Sequence, residues 1–244
     1  MPEGPTLVIL KEEVAPFVGK KVTGVSGYSD IDKKLILNQK IKEFKTWGKV
    51  FLMVFPKITI RIHFMLFGSY EINTKKKKIN PRLHLQFKTS ELNFYMCSVK
   101  LIDEDINELF DWSADVMSSE WDEQNALNRL LQNKEALICD ALMDQHIFAG
   151  VGNIIKNEVL YNTGVHPLSK VSGIKRFKLQ QLVREARSYA FEFLKWKKQG
   201  ILQVKWKVHR QDNCLKHGTP LKIKTLGKTK RKTYYCEKCQ TLYI

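Results

Sequence analysis

No stretch of this chain approaches the roughly 18 consecutive apolar residues of a membrane span, and the acidic Glu3 stands where a secretory leader would be basic. Neither insertion nor export is expected. Surface membrane binding is not expected either, because there is no long amphipathic helix with a concentrated basic face and no lipidation motif. Cysteine is scarce, five in 244 residues, with a single Cys-x-x-Cys pair near the end. That usage speaks against a disulfide framework and suits metal binding in a reducing, intracellular compartment. Cys97 and Cys139 sit alone in apolar surroundings and read as inert core thiols. Acidic residues number only 25 against 41 lysines and arginines, a formal charge of +16. An excess of that size calls for a polyanionic partner, nucleic acid foremost.

What is present falls into two textures. Leu7, Leu10, Val14 and Phe17 recur at three- and four-residue steps and predict a short amphipathic helix over 6–17, ending before Gly19. Short segments at 21–28, 41–46, 50–55, 58–63, 69–73, 83–87, 92–97 and 99–102 are rich in β-branched and aromatic residues and broken by Gly, Pro, Asn and Lys. Regular spacing of such strands predicts a sandwich. Lys75 to Lys78 reads as a solvated hairpin tip that keeps a strand edge soluble, or as a direct phosphate contact. From about Asp103 the pattern becomes helical, with apolar faces at 121–131, 134–143, 154–162 and 175–195. Strands first and helices second is an α+β arrangement, with a boundary between 102 and 121. The segment from Gly200 onward is too small for its own core and needs a staple.

That staple is legible. Cys214 and His217, then Cys236 and Cys239, form two ligand pairs, each with two intervening residues, on either side of an 18-residue span. Two such knuckles bring four ligands into the tetrahedron of a closed Cys₃His site, so one structural Zn²⁺ is expected, with no open position for catalysis. Arg231 lies on the expected hairpin of this finger, where basic and aromatic residues alternate, and can present its guanidinium to phosphate. Upstream, the turn Gly150-Val151-Gly152-Asn153 joins two helical patterns, with Asn153 expected as the N-cap of the second. A phosphate suits such a helix start.

The first residues, Met1-Pro2-Glu3-Gly4-Pro5, admit two readings. One is a solvated turn. The other is chemical: removal of Met1 would turn Pro2 into a terminal secondary amine, and an α-amino group titrates near 7.7 to 8.0, roughly 2.5 units below lysine. Such an amine can attack a carbonyl-level carbon and form a Schiff base.

Taken in order, Pro2-Glu3-Gly4-Pro5, Trp47-Gly48-Lys49, His63 to Gly68, Asp144-Gln145 through Gly150 to Asn153 and Glu158, and Arg231-Lys232-Thr233 running into Cys236, Cys239 and Gln240 resemble the formamidopyrimidine-DNA glycosylase and endonuclease VIII family over essentially the whole chain. The resemblance implies a two-layer β-sandwich with an N-terminal helix in residues 1–115, a helix-two-turns-helix DNA-binding domain in 116–199 and a zinc finger in 200–244, with DNA in the cleft between the halves. It implies a bifunctional DNA glycosylase and abasic-site lyase of base excision repair, acting on damaged double-stranded DNA as a monomer. Pro2 would be the nucleophile at C1′ and Glu3 the acid or base that helps open the sugar. Lys49 would move protons in β-elimination, while Arg231 would grip phosphate and serve δ-elimination. Asn153 would bind phosphate. Leu66, flanked by Met65 and Phe67, would fill the void left by the extruded base.

Two departures from the family pattern are visible. The guanine-repair branch carries Asp-x-Arg-Arg-Phe-Gly in a second loop, where this chain has Tyr95-Met96-Cys97-Ser98-Val99-Lys100. With the Gly4 start, this favours the endonuclease VIII branch and oxidised pyrimidines. His217 stands where the family finger usually has cysteine. A non-catalytic zinc protein that binds damaged DNA is the competing expectation, and Pro2, Glu3, Lys49 and Arg231 speak against it.

Overall fold

A computed structural model describes residues 2–244; the expected removal of Met1 concerns a residue outside them. The chain divides into two units, one ending at Phe110 and one beginning at Asp111.

In the first unit the opening helix α1 (Gly4–Val14) begins two residues earlier than its apolar period suggests. The Thr6 hydroxyl accepts the Glu3 N–H at 3.0 Å and donates to the Glu3 carbonyl at 2.7 Å, which fixes Glu3 as the N-cap. Leu7, Leu10 and Val14 are buried, one face of the helix. Six strands follow: β1 (Gly24–Ser26), β2 (Glu43–Trp47), β3 (Val50–Val54), β4 (Thr59–Ile72), β5 (Leu83–Gln86) and β6 (Glu91–Ile102), in the antiparallel order β1-β5-β6-β4-β3-β2. A short helix α2 (Ile106–Leu109) ends the unit.

The spans expected as two strands each, 58–63 with 69–73 and 92–97 with 99–102, are the single long strands β4 and β6. Their register breaks between Phe64, paired with Cys97, and Ser69, paired with Tyr95, so Met65 to Gly68 on β4 face Met96 alone. The break separates two limbs of one sheet, and these supply the two layers. Phe51 of β3 and Phe64 of β4 both meet Phe94 of the far limb, at 6.2 and 6.3 Å between ring centroids. Leu7, Leu10 and Val14 of α1 join the same core. Gly68 is required at the break, because a Cβ there would lie 2.8 Å from Phe64 Cβ and 2.9 Å from the Met96 carbonyl oxygen.

The second unit contains α3 (Glu123–Gln132), α4 (Ile138–Ala141), α5 (Asn153–Thr163), α6 (Arg176–Lys198) and the hairpin of β7 (Lys222–Leu226) with β8 (Arg231–Tyr235). Asp122 caps α3 by accepting the N–H groups of Gln124 and Asn125. Only four residues of the expected 134–143 helix form, because that backbone pairs elsewhere: Ile138 N–H donates to Ser169 and Val171 N–H to Ala136. Helix α6 is the largest contributor to this unit's apolar core, and α3, α4, α5 and the segments between them complete it. The finger has only a small cluster of its own, Val208, Cys214, Leu221, Tyr234 and Cys236, completed by Tyr161 of α5. Cys97 and Cys139 are buried, and burial pushes their thiols up to about 12 and about 11, as inert core thiols require. Among the described residues no helix is long and apolar enough to cross a membrane.

His209 is enclosed between the rings of Trp206 and Tyr234, and its Nδ1 accepts the Asn157 amide at 2.9 Å. Burial, then the charges of Arg210 and Lys156, hold this imidazole down to about 4. A depressed histidine leaves the unfolded chain binding more protons between about pH 4 and 6.5, so stability is full above 6.5 and falls as the pH drops through that window, by up to about 3 kcal/mol. Thermal unfolding followed from pH 7 to pH 4 is expected to show this acid slope, and His209→Gln is expected to flatten it.

Candidate active site and nucleic-acid interface

Each unit carries its own set of the expected residues. In the first, Pro2 is half-buried directly ahead of the α1 cap and Glu3 is only 2% exposed. Lys49 occupies the second position of the two-residue turn between β2 and β3. Gly48 ahead of it adopts a left-handed φ of 54°, as the first position of such a turn requires. Alternation on β4 sends Ile60, Ile62 and Phe64 into the core and Arg61 and His63 to the opposite face. Burial and the positive charges of Arg61 and Lys49 together hold His63 below the usual histidine range. Lys49, Arg61 and His63 therefore form a basic group at one end of the sheet, with His63 biased to the neutral form. Met65, Leu66 and Phe67 stand out from the register break, 54, 52 and 71% exposed. They belong to a strand and not to the loop expected after His63, because β4 and β6 pair again from Ser69.

In the second unit the glycine turn is closed by Gln145, whose amide donates to the Met143 and Val151 carbonyls and whose carbonyl accepts the Gly150 N–H. The N-cap of α5 is Gly152, and Asn153, expected in that role, is the first helical residue. The one-residue shift frees the Asn153 side chain from capping. Its amide donates to the Lys232 carbonyl at 2.9 Å, 79 residues along the chain, and joins the helix start to the strand that carries Arg231. Arg231 opens β8 opposite Leu226.

Cys214, His217, Cys236 and Cys239 bring their ligand atoms within 4.8 Å of one another. His217 Nδ1 lies 3.7, 3.8 and 3.3 Å from the sulfurs of Cys214, Cys236 and Cys239, and the Cys214 and Cys239 sulfurs are 3.5 Å apart. Tetrahedral bonds of about 2.0 to 2.3 Å give ligand separations of roughly 3.5 to 3.8 Å. These four groups fit a metal ion, His217 included, and the sulfurs stand too far apart for a disulfide.

Three residues gain importance that sequence reasoning does not assign. Glu158, fully buried, accepts the N–H groups of Lys207, Val208 and His209 at 2.7 to 3.0 Å and anchors the approach to the finger. Lys156 is 1% exposed and bonds to Asn153 and Thr233. Asp140 accepts the Lys228 N–H at the hairpin turn. The sequence signal for Glu158 is its place at the end of the Asn153 motif; a lysine in a helix and an aspartate in a helical turn ordinarily read as solvated.

Residues 1–97 match the formamidopyrimidine-DNA glycosylase N-terminal domain and residues 113–204 the formamidopyrimidine-DNA glycosylase H2TH domain. Endonuclease 8-like 3 of Xenopus laevis is 33% identical over 210 residues, 80% of this chain and 34% of that protein. Endonuclease 8-like 2 of Bos taurus is 32% identical over 196 residues, 74% of this chain and 58% of that protein. The chain thus spans about a third of the first relative and somewhat over half of the second. Among solved structures, a viral DNA glycosylase superposes with a TM-score of 0.85 at 21% identity, over 98% of this chain and all of the other. The Lactococcus lactis formamidopyrimidine-DNA glycosylase bound to abasic-site DNA gives 0.87 at 18% identity, over 98 and 99% of the two chains. Both likenesses bear on the fold alone. With two family domains in the expected order, an α+β fold shared with the solved glycosylases and the metal-ligand cluster at the expected place, this chain belongs to the formamidopyrimidine-DNA glycosylase and endonuclease VIII family.

Proposed function

We propose that this protein is a DNA glycosylase of base excision repair that removes oxidised bases, pyrimidines foremost, and then nicks the strand by β,δ-elimination. The observation that carries the reading is the burial of Glu3, 2% exposed beside a half-buried Pro2. A merely solvated N-terminal turn would leave that carboxylate in water.

In this reading, removal of Met1 makes Pro2 a secondary amine whose neutral form attacks C1′ of the damaged nucleotide. The bond to the base breaks, and the base leaves with a proton. Glu3 delivers a proton to O4′ and the sugar opens to an iminium on Pro2. Loss of a C2′ proton expels the 3′ phosphate; loss of a C4′ proton then expels the 5′ phosphate, and water releases the sugar fragment. Lys49 moves protons in the first elimination, next to a His63 biased away from carrying charge. Asn153 and Arg231 hold phosphate in the second unit, at a helix start and a hairpin that hydrogen-bond to each other. Met65, Leu66 and Phe67 fill the space of the extruded base, which their exposure on a strand bulge supports. Cys214, His217, Cys236 and Cys239 would hold Zn²⁺, which stabilises the finger and takes no part in the chemistry. The partner is damaged double-stranded DNA, met by a monomer of intracellular location; the charge of +16 makes binding weaken steeply with salt.

Borohydride reduction in the presence of an oligonucleotide carrying an oxidised pyrimidine is expected to trap a covalent adduct. Mass spectrometry is expected to find Pro2 at the terminus, and acetylating it is expected to abolish the adduct. Glu3→Gln is expected to slow base release by about a hundredfold or more. Binding with neither adduct nor nicking would replace this reading with that of a non-catalytic damaged-DNA-binding protein. Metal analysis is expected to find one zinc per chain, with His217→Ala weakening its retention; chelation should remove it and expose the hairpin amides to hydrogen exchange.

A further inference from the structure

Lys156 is a buried charge that the proposed chemistry leaves unused. It lies in the first turn of α5 at 1% exposure, and its ammonium donates to Asn153 Oδ1 at 2.9 Å and to Thr233 Oγ1 at 2.8 Å. The Thr233 hydroxyl in turn donates to the Arg231 carbonyl at 3.0 Å. Asn153 closes the circuit, its amide donating to the Lys232 carbonyl. One ammonium therefore fixes which way the Asn153 amide faces, because its carbonyl end is claimed, and holds the backbone of Arg231 through a single hydroxyl. The second amide hydrogen of Asn153 is left for a ligand. The far end of the hairpin is held independently. Asp140 accepts the Lys228 N–H at 2.9 Å, and Gly227, φ +70°, lies so close that a Cβ there would be 2.8 Å from Asp140 Cγ.

We infer that Lys156 is a positioning residue for nucleic-acid binding: it locks the start of α5 to the β8 strand, so that Asn153 and Arg231 meet the phosphate backbone as one preset unit. The inference rests on the phosphate-binding reading given above for those two residues. Simple packing does not require a lysine here. Withdrawing an ammonium from water is costly, and an apolar side chain of similar volume often serves a core as well or better. What methionine at this position cannot do is donate to Asn153 and Thr233 together. Preorganisation of this kind raises affinity because the ordering of side chain and hairpin precedes binding.

The test measures binding of a duplex with a tetrahydrofuran abasic-site analogue at several salt concentrations, for the wild type, Lys156→Met, Asn153→Ala/Arg231→Ala and the triple variant. Zinc content and melting temperature are recorded for each. Lys156→Met is expected to keep its zinc and melting temperature, to bind about tenfold more weakly and to lose about one unit of the salt slope. In the Asn153→Ala/Arg231→Ala background the same substitution should change nothing further. Wild-type affinity and slope in Lys156→Met would overturn the inference, as would a full additional loss in the triple variant. Should Lys156→Met fail to fold, Thr233→Val breaks the same bridge from the hairpin side and is judged by the same criteria. A wild-type chain that does not bind the duplex would overturn the functional reading and this inference together; a binding wild type with an unaffected Lys156→Met overturns this inference alone.

Discussion

Polar groups withdrawn from water must find partners, and α5 withdraws several within three turns. Lys156 reaches Asn153 and Thr233, Asn157 reaches His209, Glu158 gathers three backbone N–H groups at 207–209, and the Tyr161 hydroxyl lies 3.3 Å from the Cys214 sulfur. Apart from Asn153, which belongs to the helix itself, every one of these partners lies in the C-terminal segment. The finger is therefore held by the buried polar groups of one helix, while the other side of that helix supplies Ile155, Val159 and Leu160 to the apolar core. Helix and finger are held together as one, with the cluster of potential metal ligands at the edge.

The first unit solves a different problem with backbone geometry. A regular ladder sends successive side chains to opposite faces, so it cannot turn three consecutive apolar residues out to solvent together. Setting four residues of β4 against one of β6 lifts Met65, Leu66 and Phe67 out, and Gly68 lets the strand rejoin its partner. The same strand delivers Arg61 and His63 beside Lys49 just before the break, so charge and protrusion come from neighbouring residues of one strand.

Much of this was legible from the sequence, for physical reasons that differ by element. Strand texture followed by helical periodicity marked the α+β class, and the two ligand pairs around an 18-residue span marked which four side chains come together, His217 included. Glycine misled at Gly68, where it joins two limbs of β4 instead of ending a strand. The apolar pattern of 134–143 suggested a helix because periodicity cannot register that Ile138 and Val171 find backbone partners across the chain. Asn153 looked like a cap because asparagine favours that position, whereas its real bond runs to Lys232. Lys156 was invisible for the same reason: its value lies in a partner 77 residues away, and no local rule carries that distance.

The length of those separations bears on how the polypeptide comes to be folded. Until residues 207–209 and 233 have emerged, the Glu158 carboxylate has none of those amides to meet and the Lys156 ammonium has only Asn153 of its own helix, so water must serve the rest. Closing contacts so remote in the chain carries an entropic toll that local helix formation does not. Newly made α5 is thus a helix waiting with a wet side, and its burial is an event of late synthesis, completed when the last strand arrives.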